Sequence, residues 1–344
     1  MLQGIRIDSP DVKIKKAVKE RWRNVLGPEE NFGLLEDLTA EYLMMTAGEG
    51  LRGLKPVMLL MCGDHGICKY GVSAFPQEVT LQMINGYGRG TAGANVLARH
   101  GGVDIVVVDV GTNFDLSGFS HVRQCKVARG TEDFTQGPAM REEQAIQALQ
   151  TGMRIAEEAI RGGCNLLETG EMGIANTTST AAIAAGFLGL PPEVTTGRGS
   201  GINDARLKIK TEVVRKGLEV NRPKAGDGFD VLCKVGGYDH AGLAGMMLAG
   251  AAHHVPTMID GVNALAAAII AYGICPESAE YMLCSHLSSE ASAQKMLETL
   301  QLKPVIHAGM RLGEGTGASL AISILRMALD TYRELTGADN GSGR

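Results

Sequence analysis

The spacing of apolar residues changes several times along the chain, and each change predicts an element. Over 31–45, Leu34, Leu35, Leu38, Tyr42 and Leu43 recur at helical spacing, and Pro10-Asp11 is a start signal for an earlier helix. Short continuous apolar runs then read as buried strands at 56–61, 104–110, 165–168, 255–259 and 304–308, with DIVVVDV at 104–110 the clearest. Each delivers the chain into a polar or glycine cluster: Gly63-Asp64-His65-Gly66, Gly111, Thr169-Gly170-Glu171-Met172-Gly173, Asp260-Gly261 and Gly313-Glu314-Gly315. Helical patterns lie between the runs. Ile146, Leu149, Met153, Ala156 and Ile160 alternate steps of three and four, with Arg154, Glu157 and Glu158 facing away and Gly162-Gly163 as a stop. A last helix from Ala318 to about 335 carries Ile322, Leu325, Leu329 and Tyr332 on one side.

Strand, loop and helix in repeated alternation predict an α/β fold, a mostly parallel sheet with helices on both faces. In such sheets ligands sit outside the carboxyl ends of the strands, where the clusters above fall. The expected division is a small helical lobe from 1–50 and 318–337, a catalytic α/β domain over 51–317, and a disordered tail at 338–344.

Composition narrows the function. Thirty-three basic against 38 acidic residues give a net charge of −5 without a basic cluster, so neither nucleic acid nor an anionic membrane is an expected partner. Phosphate recognition would have to be local. Glycine is unusually common, 46 of 344 residues against a usual share of about 7%, and its short clusters suggest tight loops around a ligand. The seven cysteines are scattered without a CxxC, which points to a reducing cytoplasm and away from a zinc site. The charged N-terminus is not a secretory signal. The longest apolar tract, 241–274, is broken by His253, His254, Pro256, Asp260 and Asn263 and is not a membrane span.

Three loops could carry chemistry. EMGIANTTST at 171–180 follows a strand and opens an alanine-rich helix over 181–188. Asn176, Thr177 and Thr178 suit an N-cap, and a helix start of this kind holds phosphate, although an ordinary capped helix looks the same. In 196–201, Gly197, Gly199 and Gly201 surround Arg198 and Ser200, with Lys208 and Lys210 following. Converging amides and a lysine suit an anion, as a flexible turn with solvated lysines would also read. In 311–317, Glu314 stands among three glycines at the entry to the last helix, either as a desolvated proton acceptor or as a charge complementing the helix dipole. The loop Val72-Ser73-Ala74-Phe75-Pro76-Gln77 suits a flat aromatic ligand or the core. His65, His240, His253 and His254 lack metal spacing and read as structural or surface residues. Gly88-Arg89-Gly90-Thr91-Ala92-Gly93 fits GxGxxG, and Asp109 ends a strand downstream, but a helix-like 77–86 precedes it where the dinucleotide motif needs a strand.

The segments GDHGI, GVSAFPQEVT, GTAGANVLA, VVDVG, EMGIANTTSTAA, GRGSGI, KVGGYDHAGLAG, IDG, SHLSSE and RLGEGTGA occur in one order over 55–330. In that set the chain resembles the nicotinate-nucleotide:dimethylbenzimidazole phosphoribosyltransferase family of cobamide lower-ligand assembly. The resemblance implies a Rossmann-like α/β domain, a small helical lobe, and a homodimer with active sites near the subunit contact. It also implies transfer of ribose 5-phosphate from nicotinate mononucleotide to an aromatic base, with no cofactor and no metal. Glu314 would then be the base that deprotonates the azole, with Glu171 beside the ribose. Asn176, Thr177, Thr178, Gly199, Ser200, Gly201, Lys210, Ser288 and Gly313 would hold the nucleotide, and Ser73, Phe75, Met83 and Leu312 the incoming base.

Two departures stand out. Where the family has a stretch like KPPGSLGRLE, this chain reads Gly27-Pro28-Glu29-Glu30-Asn31-Phe32-Gly33-Leu34-Leu35-Glu36, and a GxGTG-like loop reads Gly197-Arg198-Gly199-Ser200-Gly201. They leave room for a paralogue with a phenolic or purine acceptor, for a heterodimer, or for a non-catalytic subunit. A dinucleotide-dependent oxidoreductase is the rival from another class.

Overall fold

The structure, a computed structural model, describes residues 6–28 and 31–338. Seven strands, β1 Pro56–Gly63, β2 Asp104–Gly111, β3 Val122–Gln124, β4 Leu166–Met172, β5 Thr257–Ile259, β6 Met282–His286 and β7 Pro304–Ile306, form one sheet in the order β3-β2-β1-β4-β5-β6-β7. All six pairings are parallel. The predicted sheet class and five of its strands are therefore present. β3 and β6 were not expected: β3 has three residues, and β6 ends on Ser285 and His286, which break an apolar run.

Side chains alternate across the sheet. Met58, Glu168 and Gly170 face the helix Thr316–Thr336, whose Ser319 hydroxyl donates to Glu168 Oε1 at 2.7 Å. Met61 and Leu167 face the opposite helix, Tyr238–Ala252. That helix is buried from Tyr238 to Ala251 and crosses Glu142–Arg161 at glycines: a Cβ on Gly152 would lie 1.8 Å from the Gly242 carbonyl oxygen, and one on Gly245 would lie 2.0 Å from that of Leu149. Part of the glycine excess thus serves helix packing rather than ligand loops.

The helices Val12–Leu26 and Leu34–Met45 pack with the C-terminal helix through Trp22, which meets Tyr332 edge-on at 5.2 Å and Phe32 at 5.7 Å. The Asp11 carboxylate caps the first of them by accepting from Lys13 N at 2.9 Å. Ala338, expected in the tail, is buried, and 339–344 lie outside the described residues, as do Glu29 and Glu30 of the departing N-terminal stretch. The GxGxxG segment runs from the end of one helix, Glu78–Arg89, into the next, Gly93–Gly101; without a strand before it, this is not a dinucleotide fingerprint.

Candidate active site

The strand order reverses between β1 and β4, and the loops leaving β1, β4, β5, β6 and β7 converge on a cavity of about 790 Å³. Of the residues expected at a site, Ser73, Phe75, Met83, Glu171, Asn176, Thr177, Gly199, Ser200, Ser288, Leu312, Gly313 and Glu314 line it. Thr178, Gly201 and Lys210 do not.

Glu171 leaves the end of β4 and is 5% exposed; Glu314 precedes the last helix and is 9% exposed. Gly313, Glu314 and Gly315 have φ of 83°, 62° and 83°, three left-handed residues in succession, and for glutamate that conformation carries strain. Asp260, at the end of β5, holds the turn in place. Its carboxylate accepts from the backbone N–H groups of Gly315 (3.1 Å), Gly317 (2.8 Å) and Ala318 (3.0 Å), capping the helix start. As a result the Glu314 N–H donates to Glu171 Oε1 at 3.3 Å, while Asn176 Nδ2 donates to Glu171 Oε2.

Burial pushes the Glu171 carboxyl up to about 7; donation from Asn263 opposes the shift, the nearby Asp239 and Asp260 carboxylates add to it, and the Glu314 N–H opposes it. Burial also raises Glu314, to about 6; the nearby Tyr87 hydroxyl favours the charged form, and Asp260 disfavours it. Two carboxyl groups raised towards neutrality in one cavity can serve acid–base chemistry, which a pair of surface charges would not.

The second wall is polar. The helix Asn176–Leu188 starts earlier than expected, after Ala175 at φ 78°, so Asn176, Thr177 and Thr178 lie in its first turn and none is the N-cap. Two of the side chains serve other partners: Asn176 turns to Glu171, and Thr177 accepts from Lys210 Nζ at 2.8 Å. Lys210 is fully buried one layer behind the cavity, and desolvation lowers its ammonium to about 8, with Glu290 opposing the shift; Lys208 is exposed. Gly199 N donates to Glu290 Oε1 at 2.9 Å. Ser200 ties this loop to the one after β1, its Oγ accepting from Ala74 N at 2.9 Å and lying 3.2 Å from Ser73 Oγ. Val72 is core, whereas Phe75, 52% exposed, and Leu312, 64% exposed, form an apolar lip.

Sequence reasoning missed Asn263, His286, Glu290 and Arg311 on the walls, and Asp260 beneath them. Asp260-Gly261 at a strand end was the available signal for the last. The histidine reading is corrected in one respect: His65 and His240, far apart in sequence, both face Asp239, and the candidate ligand atoms of the three lie within 4.8 Å. They form a buried cluster, with His65 Nε2 hydrogen-bonded to Asp239 Oδ2 at 3.3 Å and His240 Nδ1 lying 3.1 Å from Oδ1. His253 is half-exposed, and His254 Nδ1 lies 2.6 Å from the Tyr281 hydroxyl.

An α/β sheet with paired carboxylates beside an anion-suited wall defines a group-transfer site, and comparison with known proteins gives its class. The family described as phosphoribosyltransferase matches residues 7–341, and the chain belongs to that family. Among curated relatives it is 44% identical over 325 residues to the nicotinate-nucleotide–dimethylbenzimidazole phosphoribosyltransferase of Chloroflexus aggregans, covering 94% of this chain and 92% of that protein. The enzyme of the same name from Desulforamulus reducens is 44% identical over 332 residues, 96% of this chain and 94% of its own length. Among solved structures, CobT from Thermus thermophilus superposes with a TM-score of 0.88 at 35% identity, covering 96% of this chain and 100% of that one.

Among the described residues no helix is long and apolar enough to cross a membrane, and all seven cysteines are free.

Proposed function

We propose that this protein transfers ribose 5-phosphate from nicotinate mononucleotide to 5,6-dimethylbenzimidazole or a related aromatic base, releasing nicotinate and an α-riboside phosphate for cobamide assembly. The carrying observation is that Glu171 and Glu314, both raised towards neutrality, meet in one cavity with the backbone N–H of one bonded to the carboxylate of the other. The names of the relatives supply the substrates.

The donor sugar is attached through a cationic pyridinium nitrogen. As that bond breaks, its electron pair returns to the ring and neutralises it, so the leaving group is already activated. The sugar gains oxocarbenium character, which Glu171 stabilises as an anion in a desolvated place. The unprotonated azole nitrogen attacks the anomeric carbon from the opposite face, converting a β-nucleotide into an α-riboside, and the proton on the other ring nitrogen passes to Glu314. The rest is positioning of two flat rings on either side of one carbon.

Asn176, Thr177, Gly199, Ser200, Ser288 and Gly313 hold the nucleotide. Lys210 supplies positive charge to the phosphate from behind Thr177, while Thr178 and Gly201 shape those loops without meeting the ligand. Ser73, Met83, Phe75 and Leu312 take the base. The exposed lip of Phe75 and Leu312 suits a subunit contact near the cavity, in a homodimer or in a heterodimer with a paralogue. The free cysteines suit a cytoplasmic enzyme, with residues 51–317 as its catalytic domain and 1–50 with 318–337 as a helical lobe.

The test is incubation of purified protein with nicotinate mononucleotide and a panel of benzimidazoles, phenols and adenine, following free nicotinate by chromatography. Release is expected, fastest with benzimidazoles. No release with any acceptor would overturn the reading.

A further inference from the structure

The glycine loop on the second wall already holds an anion, and that anion belongs to this chain. Gly199 N donates to Glu290 Oε1 at 2.9 Å. The backbone at this amide lies over the groups suited to phosphate: a Cβ on Gly199 would stand 2.6 Å from Thr177 Oγ1 and 3.1 Å from Lys210 Nζ. The Glu290 carboxylate also favours the charged form of the Lys210 ammonium behind the loop. An amide in front and a lysine behind are what a phosphate would use, and Glu290 uses both.

Gly197 makes room for this arrangement. The left-handed glycines of the loop are Gly199 and Gly201, at φ 50° and 94°, and Gly197 is not among them. A Cβ at Gly197 would lie 2.1 Å from Glu290 Oε2 and 3.2 Å from Ala291 N, so the missing side chain leaves space for the carboxylate rather than for a turn.

The charge of Glu290 opposes that of the expected ligand. Among the described residues lining the cavity, Glu171, Glu290 and Glu314 are acidic and Arg311 is the single arginine or lysine. Arg198, in the loop itself, turns away to Asp204 and the Ile202 carbonyl. Glu171 and Glu314 meet the sugar and the base in the proposed reaction, whereas Glu290 stands where the phosphate goes. A phosphate and a carboxylate on one N–H repel each other strongly in a partly desolvated place, so one must leave. Glu290 is half-buried, and its backbone is fixed independently of its carboxylate: its N–H meets Ser288 Oγ at 3.4 Å and its carbonyl accepts from Ala293 N at 3.1 Å. The side chain can therefore swing out while the loop stays.

We propose that Glu290 is a placeholder for the phosphate and a specificity-determining residue: its carboxylate holds the Gly199 amide while the site is empty, and the nucleotide displaces it. This rests on the reading of the glycine loop as the phosphate subsite. Inorganic phosphate exchanges one anion for another and gains little. Nicotinate mononucleotide makes the same exchange but adds the contacts of its ribose and ring, so the penalty falls chiefly on the anion alone.

Glu290→Gln keeps the length of the side chain, removes its charge and releases the Gly199 N–H more readily. Calorimetric titration with inorganic phosphate and with nicotinate riboside, the donor without its phosphate, reads binding; steady-state kinetics with nicotinate mononucleotide reads turnover. The variant should bind inorganic phosphate about tenfold tighter than the wild type, the difference between a charged and a neutral acceptor on one amide. KM for the mononucleotide should fall severalfold with kcat within a fewfold, and the riboside should bind both proteins alike. In Glu290→Gln/Lys210→Met the gain for inorganic phosphate should disappear, which ties it to this wall. Unchanged or weaker phosphate binding in Glu290→Gln would overturn the proposal, because a carboxylate that merely braces the loop would loosen it on neutralisation. A gain shared equally by the riboside, or one that survives Lys210→Met, would overturn it as well. Absence of nicotinate release by the wild type would end the proposed reaction, while the phosphate titrations would still decide the role of Glu290.

Discussion

The backbone N–H of Glu314 donates to the carboxylate of Glu171 across 143 residues of sequence, at 3.3 Å. The loop that presents one acid therefore also solvates the other, and neither can be displaced without disturbing its partner. The bond points one way. Glu171 gains a donor that favours its anion, whereas Glu314 Oε2 is buried without a hydrogen-bond partner and is free for an incoming N–H.

Glu314→Gln should lower kcat with benzimidazole by roughly 10²–10⁴, the usual worth of a positioned base, because it keeps shape and removes basicity. Nucleotide affinity should stay near the wild-type value, since the Glu314 backbone still donates to Glu171. Steady-state kinetics beside equilibrium binding of nicotinate mononucleotide checks this, and unchanged turnover would remove Glu314 from its role.

In the proposed reaction both carboxyls act as anions, so activity should fall as pH drops through the window from about 7 to about 6 set by Glu171 and Glu314. Stability runs the other way. A glutamate raised on folding binds more protons in the folded chain than in the unfolded one between about 4.5 and 7, so its contribution is present at low pH and lost as pH rises through 7. Relative to Glu171→Gln, the wild type should lose on the order of 2–3 kcal/mol between pH 4.5 and 8. Denaturant unfolding of the two proteins at several pH values measures it, and a parallel pH dependence would sink the claim.

Asp260→Asn keeps an acceptor for Gly317 and Ala318 but can turn an amide N–H towards Gly315 N, where two donors conflict. A loss of about 1–3 kcal/mol and a lower kcat are expected as the Glu314 turn loosens. Removing the charge should also shift the acid limb of the kcat profile to lower pH, because Asp260 disfavours ionisation of both Glu171 and Glu314. A drop in kcat with an unmoved acid limb would leave Asp260 a purely structural cap.

Legibility followed the range of each interaction. The period of apolar residues at 104–110 or 146–160 reports burial of a local face, and those elements lie where the period puts them. β3 and β6 are too short, or too polar at their ends, to show a period. Glu171 and Glu314 could be singled out because each stands in a glycine-containing loop at a strand or helix end, but their mutual contact could not. Asp260 and Glu290 look like ordinary loop acids until the loops are brought together. The cluster of His65, Asp239 and His240 shows the same limit: a separation of 174 residues hides a 3.3 Å contact.

Lys210→Met should raise KM for the nucleotide severalfold while leaving kcat within a fewfold, because a buried positive charge one layer behind the phosphate, acting through Thr177, serves substrate and transition state alike. Methionine fills much of the volume of a fully buried lysine, so the fold should survive. Loss of the ammonium also frees Thr177 Oγ1, which now accepts from Nζ at 2.8 Å, to turn towards the cavity. Kinetics with nicotinate mononucleotide and with its dephosphorylated riboside separate the two effects. A charge contact predicts that the variant discriminates less between them, whereas an equal loss on both substrates would mean that Lys210 acts through packing and does not sense the phosphate.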